Sequence, residues 1–166
     1  MSKVLTFSRT FPSYHPRKGE PTYFVEKLTK SRILAGGRPV DIPQEIFLEP
    51  MYFVVEPKHH TIRAGNRWKV GDKFSPRVWG GKPYQSKQII IAPDLEVKKV
   101  WPIEVKNGQF IIGVSKDKEL RCQTDSFVLK NLAANDGLAL PELLQWFKFP
   151  KDFKGQIICW NDSVNY

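Results

Sequence analysis

Lys58-His59-His60-Thr61-Ile62-Arg63-Ala64-Gly65, followed by Asn66-Arg67-Trp68-Lys69-Val70-Gly71-Asp72, gathers amine, imidazole, hydroxyl and guanidinium groups and then turns between glycines. If residues 61–63 are extended, successive side chains go to opposite faces. Thr61 and Arg63 then share a face with His59, and Lys58, His60 and Ile62 take the other. A bend at Pro57-Lys58 brings the Lys58 amine over the same cleft as Thr61. An amine, a hydroxyl and a guanidinium meeting at one spot can hold an anion, a carbonyl or a nucleobase edge. The plain alternative is a surface strand with solvated charges.

The charge around this stretch is uneven. The chain carries a formal +9, and residues 58–106 hold 11 Lys and Arg against 4 Asp and Glu. Residues 107–166 balance at 7 against 7. Trp68, Trp79, Tyr84 and Trp101 lie among the cations of the middle segment. Cations neutralise phosphate and flat rings stack on bases, so the mixture suits a nucleic acid or nucleotide partner. Arg63, Arg77, Trp79, Tyr84 and Lys87 are the candidate binding residues. The competing reading is a basic surface over aromatics that belong to the core.

Composition bounds the rest. At 166 residues, with 41% hydrophobic and 13% aromatic content, the chain reads as one globular domain with a core of its own. No stretch approaches the roughly 20 apolar residues that span a bilayer, and the first five residues do not read as a signal peptide. A cytoplasmic protein without a membrane role is therefore expected. Cys122 and Cys159 are too few for a disulfide framework and read as buried free thiols.

Outward from the opening stretch, residues 3–8 read as a strand and 9–21 as a loop with three prolines. Residues 22–34 have helical spacing at Phe24, Leu28 and Ser31, with Gly36-Gly37 as the stop. Residues 38–50 are irregular, and 51–55 read as extended. Strands are expected over 73–79, 87–92, 95–106 and 109–114. Asn107-Gly108 supplies a two-residue hairpin turn, since both central positions need positive φ. Thr124-Asp125 can cap a helix ending at Asn135-Asp136-Gly137. Pro141 opens another helix, and 156–160 close with a strand. The expected class is α+β: a small β-barrel of about six strands with helices packed around it.

Other chemistries find little support. His59-His60 invites a metal, but adjacent strand residues point apart and no Cys or acid lies at ligand spacing. Neither a nucleophile elbow nor a phosphate-cradling Gly-rich loop occurs. No cofactor and no metal are expected.

Lys58-x-x-Thr61-Ile62-Arg63, then Trp68-Lys69-Val70-Gly71-Asp72, resembles the signature of the ASCH domain family within the PUA-like superfamily. Arg77-Val78-Trp79, Lys98-Lys99-Val100, and Asn135-Asp136-Gly137-Leu138 ahead of Trp146-Phe147 look like the same family. The resemblance covers about residues 50–160 and leaves 16–50 as an extra segment. It implies a PUA-type barrel with a cleft for RNA or modified nucleosides. Some members resemble amidohydrolases that remove an acetyl group from acetylated cytidine. Carried over by motif, that catalytic set is Lys58, Thr61 and Asp136, with Arg63 as a binding or oxyanion-stabilising group. Thr61 would attack the amide carbonyl, Lys58 would take its proton, and Asp136 would orient Lys58 or protonate the leaving amine. The compact enzymes that it resembles carry Glu where this chain has Asp136, one methylene shorter. A ribonuclease using the same cleft is a third expectation, with Lys58 as electrophile and Asp136 or a His as base.

Overall fold

The computed structural model describes residues 2–48, 50–123, 126–148 and 151–166. In chain order its elements are β1 (Lys3–Thr6), α1 (Phe24–Leu34), the single turn α2 (Met51–Val54), β2 (His60–Ala64), β3 (Lys73–Trp79) and β4 (Gln88–Ile90). Then come β5 (Leu95–Glu96), β6 (Lys99–Lys106), β7 (Gln109–Ser115), β8 (Lys118–Cys122), α3 (Phe127–Asn135), α4 (Leu140–Trp146) and β9 (Phe153–Cys159). The class is α+β. Contacts divide the chain into two compact units, Met1–Lys58 with Asp72–Glu96, and His59–Gly71 with Val97–Tyr166.

The first unit is built on a sheet in the order β1-β3-β4, with β5 also on β3. β1 runs parallel to β3, with Lys3 opposite Phe74 and Thr6 opposite Arg77. β4 and β5 are antiparallel to β3. Alternation sorts β3: Phe74, Pro76 and Val78 are buried on one face, while Arg77 and Trp79 are half-buried on the other. α1 buries Phe24, Val25 and Leu28. Its start uses Thr22, whose hydroxyl accepts from the Phe24 N–H at 3.3 Å. It ends where Gly36, at φ 82, lets the Gly37 N–H return to the Arg32 carbonyl at 2.8 Å. Residues 51–54 form a helical turn instead of an extended run, because the Val55 N–H bonds back to the Met51 carbonyl at 3.1 Å.

The second unit carries a five-stranded sheet in the order β2-β9-β6-β7-β8. β9 is central, pairing antiparallel with β2 and β6. It buries Ile157, Ile158 and Cys159 completely. The Asn107-Gly108 turn joins β6 to β7 with φ values of 50 and 76, as the hairpin reading requires. After β2 the chain is latched: the Trp68 backbone N–H donates to Gln156 Oε1 and Gln156 Nε2 donates to the Trp68 carbonyl, both at 3.0 Å. Gly155 is needed for close approach, since a Cβ there would lie 2.1 Å from the Arg63 carbonyl oxygen. α3 is capped by Ser126, whose Oγ accepts from the Leu129 N–H at 3.2 Å; the Thr124-Asp125 cap falls outside the described residues.

Two differences from expectation have physical causes. The 95–106 strand divides in two: Leu95–Glu96 pairs with β3, while Lys99–Lys106 pairs with β9. Between them the Lys98 N–H donates to the Cys159 carbonyl at 2.8 Å and Val97 is fully buried. The strands accordingly fall into two sheets, and among the described residues neither closes into a barrel. Among the described residues nine strands form instead of six or so; β5 and β8 are short and polar and carry little apolar alternation to announce them.

Candidate functional site

The basic, aromatic segment folds into the β3–β4 hairpin of the first unit. Ser75, Arg77 and Trp79 point to one face of β3. Arg77 donates from Nε to Ser75 Oγ at 3.2 Å and from a terminal nitrogen to Gln88 Oε1 at 3.4 Å. These bonds hold a planar guanidinium flat against the sheet, its charge unopposed by any acidic residue between positions 73 and 93. Register places Val4 and Ile90 on the same face, and both are exposed large hydrophobics.

Beyond Trp79 the connection is ordered by its own bonds. The Gly80 N–H donates to the Lys87 carbonyl at 2.9 Å. Ser86 Oγ accepts from the Gly81 N–H and donates to the Lys82 carbonyl, both at 2.9 Å. Tyr84 sits at the tip with φ 63, a region costly for any residue but glycine. Its ring lies 5.2 Å from that of Trp79 at 50°, yet the residue remains 89% exposed. Lys82 and Lys87 are exposed on either side. A strained backbone that displays an aromatic ring to water does nothing for the core. It does make a flat, cation-flanked surface on which a base can stack.

In the second unit a buried polar cluster forms around β2. His60 is fully buried, and its Nε2 lies 2.7 Å from the Tyr166 hydroxyl. Its Nδ1 lies 3.5 Å from Asp136 Oδ1. Asn135 Nδ2 donates to the Tyr166 oxygen at 3.1 Å. The imidazole is thus held between a phenol on Nε2 and a carboxylate on the Nδ1 side. Burial pushes the Tyr166 phenol upward and keeps it a neutral donor. The Tyr166 ring also meets Trp101 edge-on at 5.0 Å. Asp136 reaches its place because α3 ends there: Gly137 at φ 75 turns the chain, its N–H bonded to the Ala134 carbonyl at 2.9 Å.

The predicted residues fare differently. Arg77, Trp79, Tyr84 and Lys87 come together on one hairpin. Lys58 ends the first unit with 1% exposure, its ammonium 4.2 Å above the Phe24 ring. Its backbone N–H donates to the Lys27 carbonyl at 3.0 Å. Thr61 and Asp136 belong to the second unit with 5% and 6% exposure. Asp136 lies beside His60, and strand alternation turns the neighbouring Thr61 to the other face of β2. Arg63 is half-buried on the Thr61 face, opposite Gln156. His59 Nδ1 accepts from Asn161 Nδ2 at 2.8 Å, and burial, then the His60 charge, lower its pKa. Among the described residues no three His, Cys, Asp or Glu side chains gather as a metal site. No described helix is long and apolar enough to cross a membrane. Both cysteines are buried and free.

The convergence of His60 and Asn135 on Tyr166 is not legible in the sequence. They are 106 positions apart at the widest, and nothing in their spacing announces the cluster. Compared with family models, curated proteins and solved structures, the chain matches none.

Proposed function

We propose that the chain is an ASCH- or PUA-like binding protein for RNA or a modified nucleobase, and that the β3–β4 hairpin is a principal contact. The observation that carries this reading is the ring pair of half-buried Trp79 and exposed Tyr84, the latter at a strained turn, near Arg77, Lys82 and Lys87 in the hairpin. Stacking on an aromatic is sequence-tolerant and is worth about 1–3 kcal/mol per base, while the cations hold phosphate. Binding of labelled single-stranded RNA, followed by anisotropy across a salt series, tests it. Affinity should fall steadily as salt rises and drop further in Arg77→Ala and Lys87→Ala. Affinity indifferent to salt contradicts the reading.

A second reading, hydrolysis of an acyl group from an acetylated cytidine, is favoured by one observation. Lys58, Thr61 and Asp136, the three positions carried over from the family resemblance, are all buried polar residues rather than solvated surface groups. Incubating the protein with acetylcytidine and separating the products tests it. The reading predicts cytidine from the wild type and none from Thr61→Ala; no product at high enzyme concentration rules it out.

A further inference from the structure

The loop after β1 is not an irregular excursion. Thr22 donates from its hydroxyl to the Ser8 carbonyl at 2.7 Å and from its N–H to the Arg9 carbonyl at 3.0 Å, closing the loop at its base. Within it the Phe11 N–H bonds to the Glu20 carbonyl at 2.9 Å and the Gly19 N–H to the Phe11 carbonyl at 3.1 Å. Phe11 and His15 are buried and stacked on each other, ring centroids 4.5 Å apart. His15 Nδ1 accepts from the Arg17 N–H at 3.0 Å, and the Arg17 guanidinium lies 4.8 Å over the Phe11 ring. A loop with its own small core presents its outward side chains already ordered. Those include Tyr14, 50% exposed, and Lys18, while the exposed Glu20 is neutralised by Arg17, whose Nε donates to its Oε2 at 2.6 Å.

Topology fixes where this loop emerges. β1 is parallel to β3, and the Phe7 N–H still bonds to the Arg77 carbonyl at 2.7 Å. The chain therefore leaves β1 at the same end of the sheet at which β3 reaches Trp79 and the Tyr84 turn. Two ordered projections leave the same end of the sheet, each carrying an exposed tyrosine and lysine. A single nucleoside needs only the Trp79–Tyr84 surface. A second, separately built cation-and-ring surface at the same sheet end fits a polymer.

We infer that the residue 9–21 loop is a second contact for the sugar–phosphate backbone of a single-stranded RNA, so the partner is an oligonucleotide of several residues and not a free nucleoside. This rests on the hairpin reading above. Lys18 contacts a phosphate and Tyr14 lies along a neighbouring nucleotide.

The test uses the full chain, a labelled twelve-nucleotide oligouridylate and uridine monophosphate, with Lys18→Glu, Tyr14→Ala and Tyr84→Ala. Circular dichroism melts check that each variant is folded. The wild type should bind the oligonucleotide far more tightly than the monophosphate. Lys18→Glu should weaken the oligonucleotide and flatten the slope of log affinity against log salt by about 0.7, the share of one phosphate on a single strand. Tyr14→Ala should weaken it roughly fivefold or more. Neither should change monophosphate binding. If Tyr84→Ala loses binding while Lys18→Glu and Tyr14→Ala keep wild-type affinity and slope, the loop contact is refuted and the hairpin reading stands. If the wild type binds neither ligand at low salt, both fall.

Discussion

Replacing Tyr84 by glycine separates a residue kept for function from one kept for the fold. At φ 63 a non-glycine residue costs about 1–2 kcal/mol relative to glycine, so Tyr84→Gly relieves that strain. Against this stand the greater freedom of glycine in the unfolded chain, about 0.5–1 kcal/mol, and the ring contact with Trp79, about 0.5–1.5 kcal/mol. The burial term is small because Tyr84 is 89% exposed. The terms nearly cancel, leaving a net change within about 1 kcal/mol, or about 2–4 °C in Tm for a chain of this size. RNA affinity should nevertheless fall by roughly fivefold to a hundredfold, the share of one stacked base. Differential scanning calorimetry and anisotropy on one preparation measure both. A Tm lowered by ten degrees would make Tyr84 a structural residue, and unchanged affinity would remove it from the binding surface; either result refutes the reasoning.

Three further outcomes follow from the packing. Gly155→Ala sets a Cβ 2.1 Å from a backbone oxygen and 2.8 Å from the Phe153 ring in the middle of the second unit's sheet. A loss of at least about 3 kcal/mol is expected from such overpacking, and a denaturant midpoint equal to wild type would contradict the register of β2 on β9. Tyr166→Phe removes the acceptor of the Asn135 amide and the partner of His60 Nε2, so stability should fall by about 1–3 kcal/mol, read from urea unfolding. The His59 pKa is lowered in the folded state, so its stabilising contribution is present above the ordinary value of 6.5 and is lost as pH falls through the folded pKa. Melts between neutral and mildly acidic pH should therefore decline less steeply in His59→Gln than in the wild type, and parallel curves would count against that shift.

What could be read without coordinates was local. The Asn107-Gly108 turn, the Gly36-Gly37 helix stop and the Asn135-Asp136-Gly137 helix end are dictated by φ requirements that a few residues declare openly. The aromatic and cationic character of 77–87 was also visible, because charge and ring content are composition. Partition into two sheets was not. It turns on Val97 and Lys98 breaking a run whose apolar alternation looks continuous, and the break is a tertiary choice made by the Cys159 carbonyl. The one-turn helix at 51–54 was missed for a similar reason, since a short apolar run fits either conformation. Nor does the spacing within β2 announce that the carboxylate of Asp136 lies beside His60. The His60–Tyr166 contact spans most of the chain, and no short motif encodes it.

Photocrosslinking locates the RNA on the β3–β4 hairpin or away from it. Single-stranded RNA carrying 4-thiouridine, irradiated with the wild-type protein at low salt and digested for mass spectrometry, reports which side chains lie against the bases. Crosslinks at Trp79 and Tyr84 are expected. Crosslinks confined to peptides outside residues 73–90, with none on the hairpin, would contradict the hairpin reading.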